Sequence, residues 1–155
     1  MTIYQGQFNA ADKRIGIVVA QFNDIVTKRL LEGAQASLKQ LGVQAVDVVW
    51  VPGAFELPRA ARQLAASGQV DGIVTLGAVI RGETNHYDYV CQETAHGIAT
   101  LAMQAPVPVM FGVLTCDTLE QAINRAGGKA GNKGSECASG VLAMIDLQAQ
   151  LSAQG

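Results

Sequence analysis

The stretch that decides the fold is Gly77-Ala78-Val79-Ile80-Arg81-Gly82-Glu83-Thr84-Asn85-His86, where an apolar run ends in a polar turn that contains glycine. The apolar run from Gly72 to Ile80 is typical of a buried strand. Apolar residues at helical spacing then predict a helix from Tyr87 to Met103. The turn therefore joins the end of a strand to the start of a helix, which is where α/β proteins bind their ligands.

The residues of this turn suit an anion. Gly82 lets the backbone approach a phosphate closely, the following helix offers unpaired N–H groups, and Thr84 adds a hydroxyl. His86, one of two histidines in the chain, is expected beside that phosphate. The alternative is a helix-capping loop with a solvated histidine, which is the more common situation for an isolated histidine.

Strands and helices alternate along the rest of the chain. Further strands are predicted at 14–20, 46–51 and 107–114, each followed by a helix, and Asn23 is expected to cap the first helix. A glycine-rich loop at 126–134 precedes the last helix. This order predicts an α/β protein built as a three-layer sandwich, with a parallel sheet of about four strands and helices on both faces.

Local signals place the ends of the last elements. Pro108 lies inside the fourth predicted strand, so that strand is expected either to lie at a sheet edge or to begin late. Asp117 and Glu120 have capping-box spacing and predict the start of the next helix. The last helix is expected to begin near Ser135.

The chain of 155 residues fits one domain. Residues 1–13 are predicted to form an N-terminal arm, and residues 14–155 are predicted to form a single α/β domain. Ile3, Tyr4 and Phe8 of the arm have no obvious partner within the domain. We therefore expect the arm to add to the sheet edge of a neighbouring subunit.

Composition narrows the classes of function. Apolar residues make up 49% of the chain and charged residues only 15%, so part of the apolar surface is expected to contact other subunits. A formal net charge of −2 without a basic cluster argues against nucleic acid as a partner. Apolar runs are too short for a membrane span and the N-terminus lacks a signal pattern, so no membrane partner and a cytoplasmic location are expected.

The cysteines and histidines give no metal pattern. Cys91, Cys116 and Cys137 are widely spaced, so they indicate neither a disulfide framework nor a zinc site, and they are predicted to be buried small hydrophobes. His86 and His96 are not spaced as a metal pair on one helical face. No bound metal is expected.

Several further residues have two interpretations each. Phe22, at the end of the first strand, is equally suited to stack on a flat heterocycle or to lie in the core, and Phe111, expected at the end of the fourth strand, repeats this ambiguity. Glu56 can cap the next helix or accept hydrogen bonds from a polyol. Arg125 and Lys133 flank the glycine-rich loop, where solvation is the default.

Taken together, five segments resemble lumazine synthase, the penultimate enzyme of riboflavin biosynthesis. The segments are Phe22-Asn23, Pro52-Gly53-Ala54-Phe55-Glu56, the stretch from Gly77 to Tyr87, Phe111-Gly112-Val113-Leu114 and Gly131-Asn132-Lys133-Gly134. The most specific parts are the Pro-Gly-Ala-Phe-Glu turn and, after it, the Arg-Gly-x-Thr-x-His turn. The resemblance spans nearly the whole chain and implies a flavodoxin-like sandwich.

The resemblance implies condensation of 5-amino-6-(D-ribitylamino)uracil with 3,4-dihydroxy-2-butanone 4-phosphate to 6,7-dimethyl-8-ribityllumazine, with release of water and phosphate. Imine formation, phosphate elimination and ring closure each move a proton. Histidine donates and accepts protons near neutral pH, so His86 is expected to be the catalytic general acid and base. No cofactor is required, because the phosphate ester supplies its own leaving group.

The resemblance also implies the binding residues. For ribitylaminouracil they are Phe22, which stacks on the pyrimidine, with Asn23, Ala54, Phe55, Glu56, Ala78, Val79, Ile80, Phe111 and Lys133. For the butanone phosphate they are Glu83, Thr84 and Arg125. Family sites lie between adjacent subunits of a pentamer, which implies that Phe111 and Lys133 come from a neighbouring subunit. Glu136 stands where members often have an acidic residue that helps to orient the histidine.

The resemblance also implies how the subunits assemble, and two other functions compete with the enzyme. The short 126–134 link goes, in this family, with a 60-subunit icosahedral shell built from pentamers, and association with riboflavin synthase is a further implied partnership. The second hypothesis is a purely structural shell protein, because the low charge content suits large buried interfaces. A flavodoxin-like flavin-binding module is the third reading, weakened because no Thr/Ser-rich phosphate loop follows the first strand.

Overall fold

A computed structural model describes residues 1–153 and contains one parallel sheet. Its strands are β1 (Arg14–Ala20), β2 (Ala45–Val51), β3 (Gly72–Ile80) and β4 (Val109–Cys116). Their order across the sheet is β2-β1-β3-β4, so β2 and β4 form the edges. Continuous apolar runs form these strands because helices cover both faces of a sheet of this kind.

Helices connect the strands and close the fold. They are α1 (Asp24–Gln40), α2 (Leu57–Ala66), α3 (His86–Gln104), α4 (Leu119–Arg125) and α5 (Lys133–Ser152), with a short 3-10 helix at Ala54–Glu56. None of the helices in the described part of the chain combines the length and the apolar character that crossing a membrane requires.

Successive residues of β1 point into two separate cores. Ile17 and Val19 belong to the core shared with α1, α4 and α5, whereas Val18 belongs to the core shared with α2 and α3. Fully burying one such side chain contributes about 1.5 to 3 kcal/mol, so both layers stabilise the sheet. The predicted three-layer, flavodoxin-like α/β sandwich with helices on both faces is therefore confirmed.

The register of the strands places their carboxyl ends along one edge of the sheet. Ala20 of β1 pairs with Val51 of β2, and Ile80 of β3 pairs with Cys116 of β4. The segments that follow these strands therefore emerge side by side. This edge is the one at which α/β proteins bind ligands.

The start of β4 explains Pro108 and corrects the position of Phe111. Pro108 immediately precedes the strand, which both begins at Val109 and lies at a sheet edge, so proline removes no ladder hydrogen bond. Phe111 is the third residue of β4 and pairs with Thr75. The expectation that Phe111 ends the strand is wrong, because β4 continues to Cys116.

Helix starts near the end of the chain also differ from expectation. The capping box of α4 consists of Thr118, whose hydroxyl accepts from the Gln121 N–H at 3.2 Å, and the Gln121 side chain, which accepts from the Thr118 N–H at 3.3 Å. Asp117 and Glu120 do not form it. Helix α5 begins at Lys133 instead of Ser135, because Asn132 accepts from the Ser135 N–H and caps the helix.

The N-terminal arm lies along α5 of its own chain. The Gln7 N–H donates to Asp146 at 2.8 Å, the Gln150 side chain donates to the Gln5 carbonyl at 2.9 Å, and Gly6 packs closely against Ala143. The backbone of the arm therefore has partners within the domain, whereas the side chains of Ile3, Tyr4 and Phe8 are exposed, as expected for residues without a partner there. Addition of the arm to a neighbour's sheet and the domain boundary at residue 13 stay predictions, and residues 154–155 lie outside the described part.

Candidate active site

A cleft of about 740 Å³ lies at the carboxyl edge of the sheet. Its walls are the segments that follow β1, β2 and β3 and the first turns of α3. The lining residues are Phe22, Asn23, Pro52, Gly53, Ala54, Phe55, Glu56, Ala78, Val79, Ile80, Gly82, Thr84, His86, Tyr87, Tyr89 and Val90. Most of the predicted site residues are thus brought together by the fold.

Large aromatic side chains are exposed at this cleft. Phe22 is 72% exposed, Phe55 is 57% exposed and Tyr89 is 66% exposed. Phe22 is therefore not a core residue of this chain, and the core alternative for it is removed. Such rings present flat apolar surfaces to a bound molecule and are suited to stack on an aromatic ligand.

Asn23 connects the end of β1 to the end of β3. Its backbone is left-handed, with φ at 60°, which asparagine tolerates better than most residues. Its side-chain amide donates to the Ala78 carbonyl at 2.8 Å. The residue precedes α1 as predicted, but its side chain forms no cap bond with that helix. Asn23 therefore holds two walls of the cleft together.

Glu56 faces the same cleft from the short 3-10 helix. Its backbone N–H donates to the Gly53 carbonyl at 3.2 Å, which tightens the turn after β2. The carboxylate forms no side-chain cap bond with α2 and is exposed. Of the two interpretations of Glu56, side-chain capping is wrong, and polyol binding stays a prediction.

His86 is the first residue of α3 and its side chain is exposed. Its backbone N–H donates to the Thr84 hydroxyl at 3.3 Å. A methyl group placed on Gly82 would have no atom within 4 Å, so the turn opens onto free space. An open glycine turn that leads into a helix start is a geometry that can receive an anion beside His86.

Arg81 holds this turn to the elements around it. Its Nε lies 2.9 Å from Asp117 Oδ1, a terminal guanidinium nitrogen lies 3.4 Å from Asp88 Oδ1, and the guanidinium stands 4.2 Å from the centre of the Tyr87 ring. The hydrogen bond to Asp117 is the main cause that raises the pKa of Arg81. We call these four residues the Arg81 clamp.

Arg125 lies at the same edge of the sheet without lining the cleft. Burial raises the pKa of the Cys116 thiol, and the nearby positive charge of Arg125 opposes that rise. Cys116 pairs with Ile80, and its carbonyl accepts from the Arg81 N–H at 2.9 Å. Arg125 is exposed and forms no ion pair with any residue from 1 to 153. Glu83 is likewise exposed in the turn but does not line the cleft.

Phe111 and Lys133 lie outside the cleft of their own chain. Phe111 lines a separate apolar groove of about 260 Å³ between α3 and β4. The Lys133 ammonium lies 2.7 Å from Glu136 on the first turn of α5. Within this chain Glu136 therefore pairs with Lys133.

The cysteines differ in burial. Cys137 is buried, as predicted, and desolvation raises the pKa of its thiol to about 11. Cys91 and Cys116 are only half-buried, so the prediction that all three are buried holds fully for Cys137 alone.

Sequence reasoning missed part of the cleft wall. Tyr87, Tyr89 and Val90 line the cleft, and none of them is among the site residues predicted from the sequence. A signal was present, because residues three and four positions after His86 lie on the same helical face. Once His86 is placed at the cleft, Tyr89 and Val90 follow from helical geometry.

The fold and the cleft together define a flavodoxin-like α/β protein whose ligand site lies at the carboxyl edge of its sheet and contains one histidine. A family-wide sequence profile described as 6,7-dimethyl-8-ribityllumazine synthase matches residues 12–149. The chain belongs to this family, and it is an enzyme, a transferase of riboflavin biosynthesis.

Two relatives support this membership. A protein of Pediococcus pentosaceus named 6,7-dimethyl-8-ribityllumazine synthase is 59% identical over 150 residues, which is 96% of this chain and 96% of the relative. A protein of Levilactobacillus brevis with the same name is 55% identical over 141 residues, which is 90% of each chain. The residues that the family profile matches, 12–149, include all four strands and every residue that lines the cleft.

Proposed function

We propose that the protein condenses 5-amino-6-(D-ribitylamino)uracil with 3,4-dihydroxy-2-butanone 4-phosphate to form 6,7-dimethyl-8-ribityllumazine, water and phosphate. The observation that carries the proposal is the cleft itself. Exposed aromatic rings, the exposed Glu56 carboxylate and His86 line it together. These are the groups that a flat pyrimidine with a polyol chain and a proton-transfer reaction require.

The uracil end of the cleft is proposed to lie between Phe22 and β3. Strand β3 continues to Ile80, beyond Leu76, the last residue that pairs with β1. On the β1 side, β3 therefore has no strand partner from Ala78 to Ile80, and the Asn23 side chain bonds the Ala78 carbonyl there. Backbone groups there suit the edge of a uracil ring, and Glu56 suits the hydroxyls of the ribityl chain.

The phosphate end is proposed to lie at the turn before α3. Gly82 leaves open space, the Thr84 hydroxyl and the N–H groups of the helix start are hydrogen-bond donors, and the Glu83 backbone contributes to the same turn. Arg125, close to Cys116 at this edge, brings a planar cation that can bind two phosphate oxygens. His86 then stands between the two substrates.

His86 is proposed to move the protons of the reaction. The amine attacks the ketone, water leaves to give an imine, phosphate is eliminated, and the ring closes on the second carbonyl. Each step transfers a proton, and an imidazole titrates near neutral pH. The substrate carries its own leaving group, so we propose neither a cofactor nor a metal.

The complete site is proposed to form between two copies of the chain. Phe111 and Lys133 lie outside their own cleft, and we propose that they complete the cleft of a neighbouring subunit in a pentamer. We further propose a cytoplasmic 60-subunit shell of pentamers that associates with riboflavin synthase. Native mass measurement at micromolar concentration tests the assembly, and an active monomer would contradict the shared site.

The decisive test of the reaction is incubation of the purified protein with both substrates while lumazine fluorescence is followed. We expect fluorescence to rise faster than in the uncatalysed mixture, and each substrate alone with the protein to give no rise. A folded, assembled protein that does not accelerate the reaction would favour a purely structural shell. Flavin binding without turnover would favour a flavin carrier.

A further inference from the structure

Arg81 is the residue of the turn between β3 and α3 whose side chain pairs with charged groups of other segments in the described part of the chain. Its guanidinium contacts Asp117, which lies between β4 and α4, and Tyr87 and Asp88 on the first turn of α3. Its backbone N–H donates to the Cys116 carbonyl. One side chain therefore joins the ends of β3 and β4 to the start of the helix that carries His86.

The residues of the turn are otherwise open to solvent. Every residue from 81 to 86 is exposed, and the space beside Gly82 is empty. Two local hydrogen bonds of the turn run from the His86 N–H to the Thr84 hydroxyl and from the Asp88 N–H to the Asn85 carbonyl. These bonds shape the turn locally but do not attach it to the sheet.

The charges of the clamp argue against a direct role of Arg81 in binding an anion. Asp88 and Asp117 both pair with Arg81, so the formal charge of the group is −1. A phosphate gains little from a guanidinium whose donors and charge already serve two carboxylates. Arg125 has no such partner among residues 1–153 and is the better phosphate ligand.

We infer that Arg81 is a positioning residue, which through Asp117, Asp88 and Tyr87 fixes the 82–86 turn and thereby the place of the His86 imidazole in the cleft. The inference rests on the proposed role of His86 as the general acid and base. Displacement of a catalytic group by about 1 Å can lower the rate by about 10²-fold, so a clamp of this kind matters for turnover. Exposed ion pairs contribute little to global stability, so the Tm of Arg81→Ala is expected to differ little from that of the unmodified protein.

The test is a mutant cycle that combines Arg81→Ala with His86→Ala. We expect Arg81→Ala to lower turnover at saturating substrate by about 10- to 100-fold. In the His86→Ala background the same change is expected to lower turnover by less than about 2-fold, because the group that Arg81 positions is absent. Equal losses in the two backgrounds, or a loss confined to the affinity for the butanone phosphate, would overturn the inference.

Further variants separate positioning from folding. Arg81→Lys is expected to recover only part of the turnover, since an ammonium lacks the planar fork that reaches two carboxylates. Asp117→Asn keeps Arg81 and its charge but removes one carboxylate of the Arg81 clamp. Like Arg81→Ala, it is expected to lower turnover when His86 is present and to have little effect in the His86→Ala background. Arg62→Ala, which removes an exposed arginine of α2, is the matched control and is expected to change turnover by less than about 2-fold.

A second readout does not depend on turnover. Acylation of the two histidines by diethyl pyrocarbonate, followed by mass spectrometry, uses His96 on the same helix as an internal reference. Arg81→Ala is expected to change the ratio of His86 to His96 acylation rates by at least about 2-fold. An unchanged ratio would overturn the inference. An inactive wild-type protein that still shows the changed ratio would refute the proposed function alone.

Discussion

The turn at 81–85 and the stretch at 126–134 both contain glycine beside basic residues, but the surroundings of their glycines are opposite. Gly82 has an ordinary backbone and no atom within 4 Å of the position that a methyl group would take. Gly127 and Gly131 are left-handed, with φ at 93° and 75°, and a methyl group on Gly134 would collide with the Leu30 carbonyl. Glycine is required by the fold in the second region and leaves space in the first.

Hydrogen bonds separate the two regions in the same way. In the 126–134 stretch the Gly127 N–H donates to the Gly131 carbonyl at 2.8 Å. Asn132 caps α5 and donates to the Arg29 carbonyl of α1 at 3.0 Å. The 81–85 turn is attached to the rest of the protein through Arg81. The comparison separates a glycine that the packing requires, Gly134, from a glycine beside which the structure leaves free space, Gly82.

The largest effect is expected at the exposed turn. His86→Ala is expected to lower turnover by about 10²- to 10⁴-fold, the range for loss of a general acid and base, while assembly stays intact. Initial rates of lumazine formation measure it, after subtraction of the uncatalysed reaction. His96→Ala is the control, because His96 is exposed on α3 but does not line the cleft. Unchanged turnover in His86→Ala would remove His86 from the mechanism.

The two ends of the cleft can be separated by a pair of variants. Arg125→Ala is expected to lower the affinity for the butanone phosphate by about 10- to 100-fold, since a hydrogen bond to a charged group contributes about 1.5 to 3 kcal/mol. Phe22→Ala is expected to lower the affinity for the ribitylaminouracil by a similar factor, because stacking of a base on an aromatic ring contributes about 1 to 3 kcal/mol. Initial rates measured while one substrate is varied at a saturating concentration of the other give both effects. Equal losses for both substrates in both variants would contradict the assignment.

A substitution in the 126–134 stretch is expected to lower the stability of the fold. Gly134→Ala places a methyl group against the Leu30 backbone between α1 and α5, and overpacking of this kind costs about 1 to 3 kcal/mol. Thermal unfolding is expected to show a Tm lower by roughly 2 to 10 °C. Gly140→Ala, on the same helix, is the control, because its methyl group would meet only the flexible tip of Met110. A lower Tm for Gly140→Ala than for Gly134→Ala would contradict this explanation.

The sequence predicted the parts of the fold that depend on local pattern. Residues 15 to 20 of β1 form a continuous apolar run, and all except Gly16 are buried hydrophobic side chains of the two cores. The position of His86 also followed from pattern, since it required only a strand end, a helix start and the rule that ligands bind at carboxyl ends.

Contacts between distant segments could not be predicted. Asp117 and Thr118 both have a partner at capping-box spacing. In the structure Thr118 forms the box, and the Asp117 carboxylate binds Arg81, which lies 36 positions earlier. The Asn23 side chain likewise binds Ala78, 55 positions away, instead of capping α1. A polar side chain selects among partners in three dimensions, and local spacing does not contain that information.

The smallest effect, and the sharpest test of the comparison, is expected for Gly82→Ala. The added methyl group meets no atom of the described protein and the backbone is not left-handed, so the Tm is expected to change by less than about 2 °C. If the phosphate approaches this backbone, the methyl group stands in its way. The affinity for the butanone phosphate is then expected to fall by about 3- to 10-fold, the equivalent of one hydrogen bond, while the ribitylaminouracil affinity is unchanged. A lower Tm with normal phosphate affinity would mean that Gly82, like Gly134, is required for folding, and the distinction between the two regions would fail.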